Sequence, residues 1–209
     1  MQRRAAGTRQ VLVGAAADEF DRNGYNGASL TRVCRAAGVS IGALTFHFST
    51  KEGLAAAVRK QGGAATETAV AAVTARREES VQSVVSLTLA VTELLERDVA
   101  VRAAARLARE RAGAPDWFSA WVPAIHRQLR HARDARLGSA ADRAAVAALA
   151  THLVTGAEAT IRQRARGHHR TGGDPVAELA RIWGLVRDGF PGHRGAFGVD
   201  DLLGDLPCR

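Results

Sequence analysis

Residues 29–54, SLTRVCRAAGVSIGALTFHFSTKEGL, alternate short helical periods with sharp turn signals. Leu30, Val33, Cys34 and Ala37 recur at i, i+3, i+4 and i+7, one apolar face of a short helix. Gly38 stops that helix where the chain needs positive φ. Ser40 N-caps the next helix. Leu44 and Phe48 give that second helix a buried side, which turns Ile41, Gly42, Thr45 and His47 outward. Ser49 and Glu52 have the spacing of an S-x-x-E capping box, predicting a third helix that opens at Lys51. A short helix held at a sharp angle, with small or polar groups outward, suits the major groove of DNA.

Gly38-Val39-Ser40-Ile41-Gly42-Ala43-Leu44-Thr45-Phe46-His47-Phe48-Ser49-Thr50-Lys51-Glu52-Gly53-Leu54 resembles the signature of TetR-type one-component repressors, roughly G-V-S-x-G-A-L-Y-x-H-F-x-S-K-E-x-L. The resemblance implies an all-α chain with two parts. Residues 1–48 would form a three-helix helix-turn-helix DNA-binding domain. Residues 49–209 would form a helical effector-binding and dimerisation domain, with the helix from about residue 50 as connector.

Bulk properties are compatible. The chain has 209 residues, 46% hydrophobic and 24% charged, which is globular rather than disordered. The net charge of +8 and a pI near 11.0 favour a polyanionic partner. Two cysteines, Cys34 and Cys208, form no disulfide framework and fit a reducing cytoplasm. No apolar run is expected to approach the roughly 20 residues that cross a bilayer. Arg3 and Arg4 precede no apolar core of a signal peptide.

Outside the motif the pattern stays helical. Residues 1–8 are expected to be mobile. A first helix is predicted over about Thr8–Asn23, with Leu12, Ala15, Ala16 and Phe20 inward and Gly24 as its stop. The connector helix should reach about Arg77. Its Gly62-Gly63 pair reads either as a hinge or as a close helix–helix contact. Further helices are predicted over about Ser80–Arg97, Val99–Glu110, Trp117–Leu137, Ala140–Arg164 and Asp174–Gly189, with one short helix near Val199–Leu203. Small residues on the Ala140–Arg164 helix and larger ones on the last long helix suit a four-helix dimer interface. The homodimer is therefore expected through residues of about 140–164 and 174–189, since a lone helix-turn-helix reads only one half-site.

The aromatic cluster Trp117, Phe118 and Trp121 is either core or the wall of a small-molecule pocket. Together with Asp18-Glu19-Phe20-Asp21-Arg22-Asn23-Gly24-Tyr25 and Leu179-Ala180-Arg181-Ile182-Trp183, it is similar to the γ-butyrolactone autoregulator receptors of streptomycetes. That branch stacks a tryptophan over its lactone. Trp121 matches that position, and Thr160 matches a threonine that hydrogen-bonds the ligand. Trp117, Phe118, Leu87 and Val91 complete the expected lining. Ile41 and Thr45 stand where the branch commonly has Lys and Tyr. The basic pI leans towards its pseudo-receptors, whose ligand would be an antibiotic or pathway intermediate.

Enzyme signals are lacking: no phosphate loop, dinucleotide fingerprint or C-x-x-C occurs. His126 and His131 are five apart and diverge on a helix, and His168-His169 have no acidic complement. No metal or cofactor is expected. The expectation is a cytoplasmic, homodimeric repressor of a near-palindromic operator, released by a small-molecule effector, with no membrane partner. Ile41, Gly42 and Thr45 would face bases, and His47 the backbone. Lys51 would meet a phosphate, and Arg3, Arg4 and Arg9 an adjacent minor groove. The alternative is an effector-independent repressor or architectural DNA-binding protein.

Overall fold

A computed structural model describes residues 2–75, 80–110, 117–132, 139–165 and 173–188. Within them the chain is helical throughout and has no strand. In chain order the helices are α1 (Gln2–Gly27), α2 (Leu30–Ala37), α3 (Ile41–His47), α4 (Lys51–Thr74), α5 (Val81–Arg97), α6 (Val99–Glu110), α7 (Val122–His131), α8 (Ala140–Ala165) and α9 (Pro175–Asp188). A 3₁₀ turn over Trp117–Ala120 precedes α7. The expected helix near Val199–Leu203, His168-His169 and Cys208 lie outside the described residues.

The helix-turn-helix forms by local rules. Ser29 Oγ accepts from the Arg32 amide at 3.5 Å. Gly38 takes φ 66°, and the Val39 amide reaches back to the Cys34 carbonyl at 3.0 Å, closing α2 with a left-handed cap. Ser40 Oγ caps α3 through the Ala43 amide at 3.1 Å. The cap of α4 corrects the expected capping box. Thr50, not Ser49, accepts from the Gly53 amide at 3.0 Å, so the helix is capped one residue later. Glu52 turns instead to Arg59 at 2.5 Å.

Other boundaries also differ. α1 begins at Gln2, so residues 2–8 are helical rather than a free arm. It breaks at Gly24, where φ is 68°. α4 ends at Thr74, short of Arg77. The predicted helix over 117–137 is divided. Pro123 has no amide to donate and fits only the first turn, so α7 starts at Val122.

Two apolar cores fill the molecule. Leu12, Phe20, Val33, Leu44, Phe48 and Leu54 anchor the amino-terminal one. Leu87, Val91, Trp117, Trp121, Ile125 and Trp183 belong to the larger second core. The amino-terminal core runs past residue 48, drawing in Leu54, Ala55 and Val58 of α4 and Ala100, Ala103 and Leu107 of α6. α6 turns Val101, Ala104 and Ala105 into the other core. One alanine-rich helix is thus common to both.

Gly62 settles the choice left open for the glycine pair. A Cβ there would collide with the Ala100 carbonyl and lie 2.7 Å from Ala104 Cβ. The site is a close crossing of α4 over α6. Gly63 meets nothing.

α8 corrects a further expectation. Its 26 residues are, by length and composition, long and apolar enough to cross a bilayer. Its buried stripe, Ala147, Ala150, Val154, Glu158 and Ile161, packs into the protein. Glu158 receives both Arg109 and Arg162.

Candidate operator interface and effector chamber

The outer side of α3 carries Ile41, Gly42 and Thr45, all exposed. Leu44 and Phe48 hold the inner side in the core. Ile41 is 55% exposed. The Thr45 hydroxyl donates to the Gly42 carbonyl at 3.0 Å, which leaves its methyl group and lone pairs outward. His47 is half-buried and meets the edge of Phe46 with ring centroids 5.2 Å apart. Phe46 is 82% exposed, the most exposed large apolar side chain among the described residues. It was absent from the expected contacts. Its signal in the sequence was an aromatic residue out of step with the Leu44–Phe48 face.

Lys51 sits differently from a free phosphate ligand. Its Nζ donates to the Ala28 carbonyl at 2.7 Å and lies 4.9 Å from the Tyr25 ring centroid. It ties α4 to the turn before α2. Arg9 is exposed, with its guanidinium 4.9 Å from the centre of the Phe48 ring. Arg3 and Arg4 belong to the first turns of α1.

α2 is fixed to α1 through Glu19. Its carboxylate accepts from the Ser29 amide and from Arg32 Nε, both at 2.8 Å. Burial works against its charge, but these donors outweigh it and hold the carboxyl below its ordinary range.

A second polar cluster joins α1 to α6. Arg102 Nε reaches Asp21 at 2.8 Å, and Arg106 Nη1 reaches the Asp21 carbonyl at 2.6 Å. Glu110 accepts from the Tyr25 amide at 2.6 Å and from Arg106 Nε at 2.7 Å. Gly24 needs both its left-handed backbone and its missing side chain here, because a Cβ would run into Glu110 and Arg106. On the far side Glu158 is 3% exposed. Burial raises its pKa, and the Arg109 charge opposes that rise.

The three tryptophans lie in the second core, all buried. Trp117 Nε1 donates to Thr66 Oγ1 and Trp183 Nε1 to Thr88 Oγ1, each at 2.9 Å. Trp121 is 0% exposed and its Nε1 has no acceptor. Trp117 and Phe118 pack on it at 5.5 and 5.9 Å between centroids. Leu87 and Val91 are fully buried in the same core. Thr160 is placed elsewhere. It lines a cavity of about 230 Å³ between α8 and α9, with His152, Gly156 and Ile182, and Trp121 is not part of that wall. Cavities between α5 and α9 and beside α4 and α7 also leave Trp121 aside. The structure therefore brings Trp121, Trp117, Phe118, Leu87 and Val91 together and sets Thr160 apart.

Comparison with known proteins follows the same lines. Residues 12–58 match the family model of bacterial regulatory proteins, TetR family. The A-factor receptor protein of Streptomyces griseus is 32% identical over 130 residues, 61% of this chain, and the match spans 45% of that relative's length. A solved gamma-butyrolactone receptor, described as an ArpA-like protein, superposes with a TM-score of 0.68 at 27% identity, covering 89% of each chain. CprB of S. coelicolor A3(2), a TetR family protein, gives a TM-score of 0.68 at 30% identity, again over 89% of each chain. CprB has also been solved in complex with its biological operator sequence, at a TM-score of 0.61 and 28% identity. A shared fold over nearly the full length, together with the capped α2–α3 motif, makes this chain a member of the TetR family.

Proposed function

We propose that the protein is a ligand-responsive transcriptional repressor of the cytoplasm. As a homodimer it binds a near-palindromic operator and releases it when a small molecule enters the second core. α3 serves the major groove, with Ile41, Gly42 and Thr45 at the bases and His47 at the backbone. Arg9, and Arg3 and Arg4 on the first turns of α1, serve the phosphates or the neighbouring minor groove. Lys51 reaches a phosphate by exchanging its intramolecular carbonyl for it. The dimer forms through α8 and α9, whose outer faces expose Ala144, Ala148, Gly156, Ala177 and Ala180. The effector is a signalling lactone or, as the pI near 11.0 favours, an antibiotic or pathway intermediate.

One observation carries the effector reading. Of three buried tryptophans, two have a threonine acceptor and Trp121 has none. An unmet indole N–H in an apolar core costs about 1–3 kcal/mol, and a ligand oxygen would relieve it. Trp121→Phe keeps the flat apolar face and removes the donor. It should retain operator binding and folding while losing effector-driven release, read by operator release in the presence of metabolite extract. Normal release by the variant would remove Trp121 from the site. A second reading, an effector-independent repressor or architectural protein, is favoured by the closed packing around Trp121. It requires that neither lactone nor extract changes operator affinity.

A further inference from the structure

Seven residues after Trp121, the N-cap of α7, Gln128 is another buried polar group with unmet hydrogen-bonding capacity. Trp121, Ala124, Ile125, Gln128 and Leu129 are buried, whereas His126, Arg127 and Arg130 are exposed. Spacings of three and four residues place the buried set on one stripe, turned towards α5 and α8. Trp121 and Gln128 stand seven residues apart, two helical turns, or roughly 10 Å along the axis. Ala124 and Ile125 supply only apolar surface between them.

Gln128 is 5% exposed, and its Oε1 has no donor. Among other buried polar groups, Thr88 donates to the Val85 carbonyl, Thr92 to the Thr88 carbonyl, and both other indoles reach threonines. Two unmet groups therefore stand on one buried stripe, Trp121 at the N-cap of α7 and Gln128 within the helix. They are complementary in kind: the indole can only donate, and the amide oxygen can only accept.

We propose that Gln128 determines specificity in the effector site by accepting a hydrogen bond from a hydroxyl or N–H of the ligand, an inference that rests on the effector reading above. The ligand class is an oxygen heterocycle or carbonyl compound with an apolar chain. Its oxygen meets Trp121 Nε1, its chain lies over Ala124 and Ile125, and its donor stands roughly four to six bonds away. Leu87 and Val91 of α5 close the apolar flank.

The test uses the full chain and two γ-butyrolactones that differ only in a terminal hydroxyl on a three-carbon side chain next to the lactone carbonyl. Operator release and thermal shift are measured for the wild type, Gln128→Met and Trp121→Phe. The hydroxylated lactone should release the wild type at about tenfold lower concentration than the deoxy compound. Gln128→Met should respond equally to both. Its ligand-free melting temperature should hold or rise by about 2–4 °C, because an unmet amide is gone. Retained discrimination by Gln128→Met, or a lowered ligand-free melting temperature, overturns the proposal; the second outcome would make Gln128 an ordinary structural group. If the wild type discriminates and Trp121→Phe loses its response while Gln128→Met keeps it, the chamber stands and only Gln128 falls. If neither lactone shifts or releases the wild type, the lactone-class chamber and this proposal fail together.

Discussion

Ile41 and Phe46 give α3 an apolar outer surface, where most of the neighbouring groups are small or polar. Thymine methyl groups and sugar edges are the apolar features a DNA groove offers to such side chains. Phe46→Ala should weaken operator binding roughly tenfold without lowering the melting temperature, since the ring is outside the core. Ile41→Lys should move the preferred base, with about 1–3 kcal/mol of discrimination, as read by operator selection. An unchanged profile would place Ile41 away from base edges. Gly62 tests packing at the same scale. Gly62→Ala should cost about 1–3 kcal/mol in denaturant unfolding, because α4 and α6 must separate to admit a methyl group. The same change at Gly63 should be neutral or stabilising, by up to about 1 kcal/mol of helix propensity.

At the level of elements, Glu19 ties the start of α2 to α1. Its folded pKa is lowered, so its contribution is present above the unfolded value and is lost as pH falls through the folded one. Stability should therefore decline as pH drops below the ordinary carboxylate range. Glu19→Gln should flatten that decline and cost about 1–3 kcal/mol at neutral pH, by denaturant titration at several pH values. The elements that could be read from residues alone were those set by neighbours in sequence. Ser29, Gly38 and Ser40 act within four residues of themselves, and α6 began and ended where its period said. α7 starts after Trp117 because Pro123 fits only the first turn of a helix. The hidden features are those that need distant partners. Glu19 meets Arg32, Gly24 meets Glu110, and Gly62 meets Ala100, and no local spacing announces them. The aromatic cluster was half legible: the sequence marks Trp121, but only three-dimensional packing separates it from Thr160.

For the molecule as a whole, α6 changes how signal and response are connected. A helix whose opposite sides belong to two cores moves both or neither. Its Arg102 and Arg106 hold Asp21 of α1, and its Arg109 holds Glu158 of α8. An effector against Trp121 can therefore bias the DNA-binding helices through α6 as well as along α4, provided it prefers one arrangement of them. Arg102→Ala should loosen that connection. The operator affinity of the ligand-free protein should change less than the difference between its ligand-bound and ligand-free affinities, measured by titration with and without effector.

The same shared helix bears on modular engineering. Regulators of this kind invite chimaeras, in which a reading head from one protein is spliced to the sensing body of another. A splice at residue 48 would leave Ala100, Ala103 and Leu107, the floor beneath Leu12 and Phe20, in the donor. The graft would then sit on a foreign α6, without Arg102, Arg106 and Glu110, the groups that hold Asp21 and the Tyr25 amide. Such a hybrid should express poorly and recover only when the inward positions of α6 travel with the head. The transferable unit is discontinuous in sequence: the first four helices together with one face of the sixth.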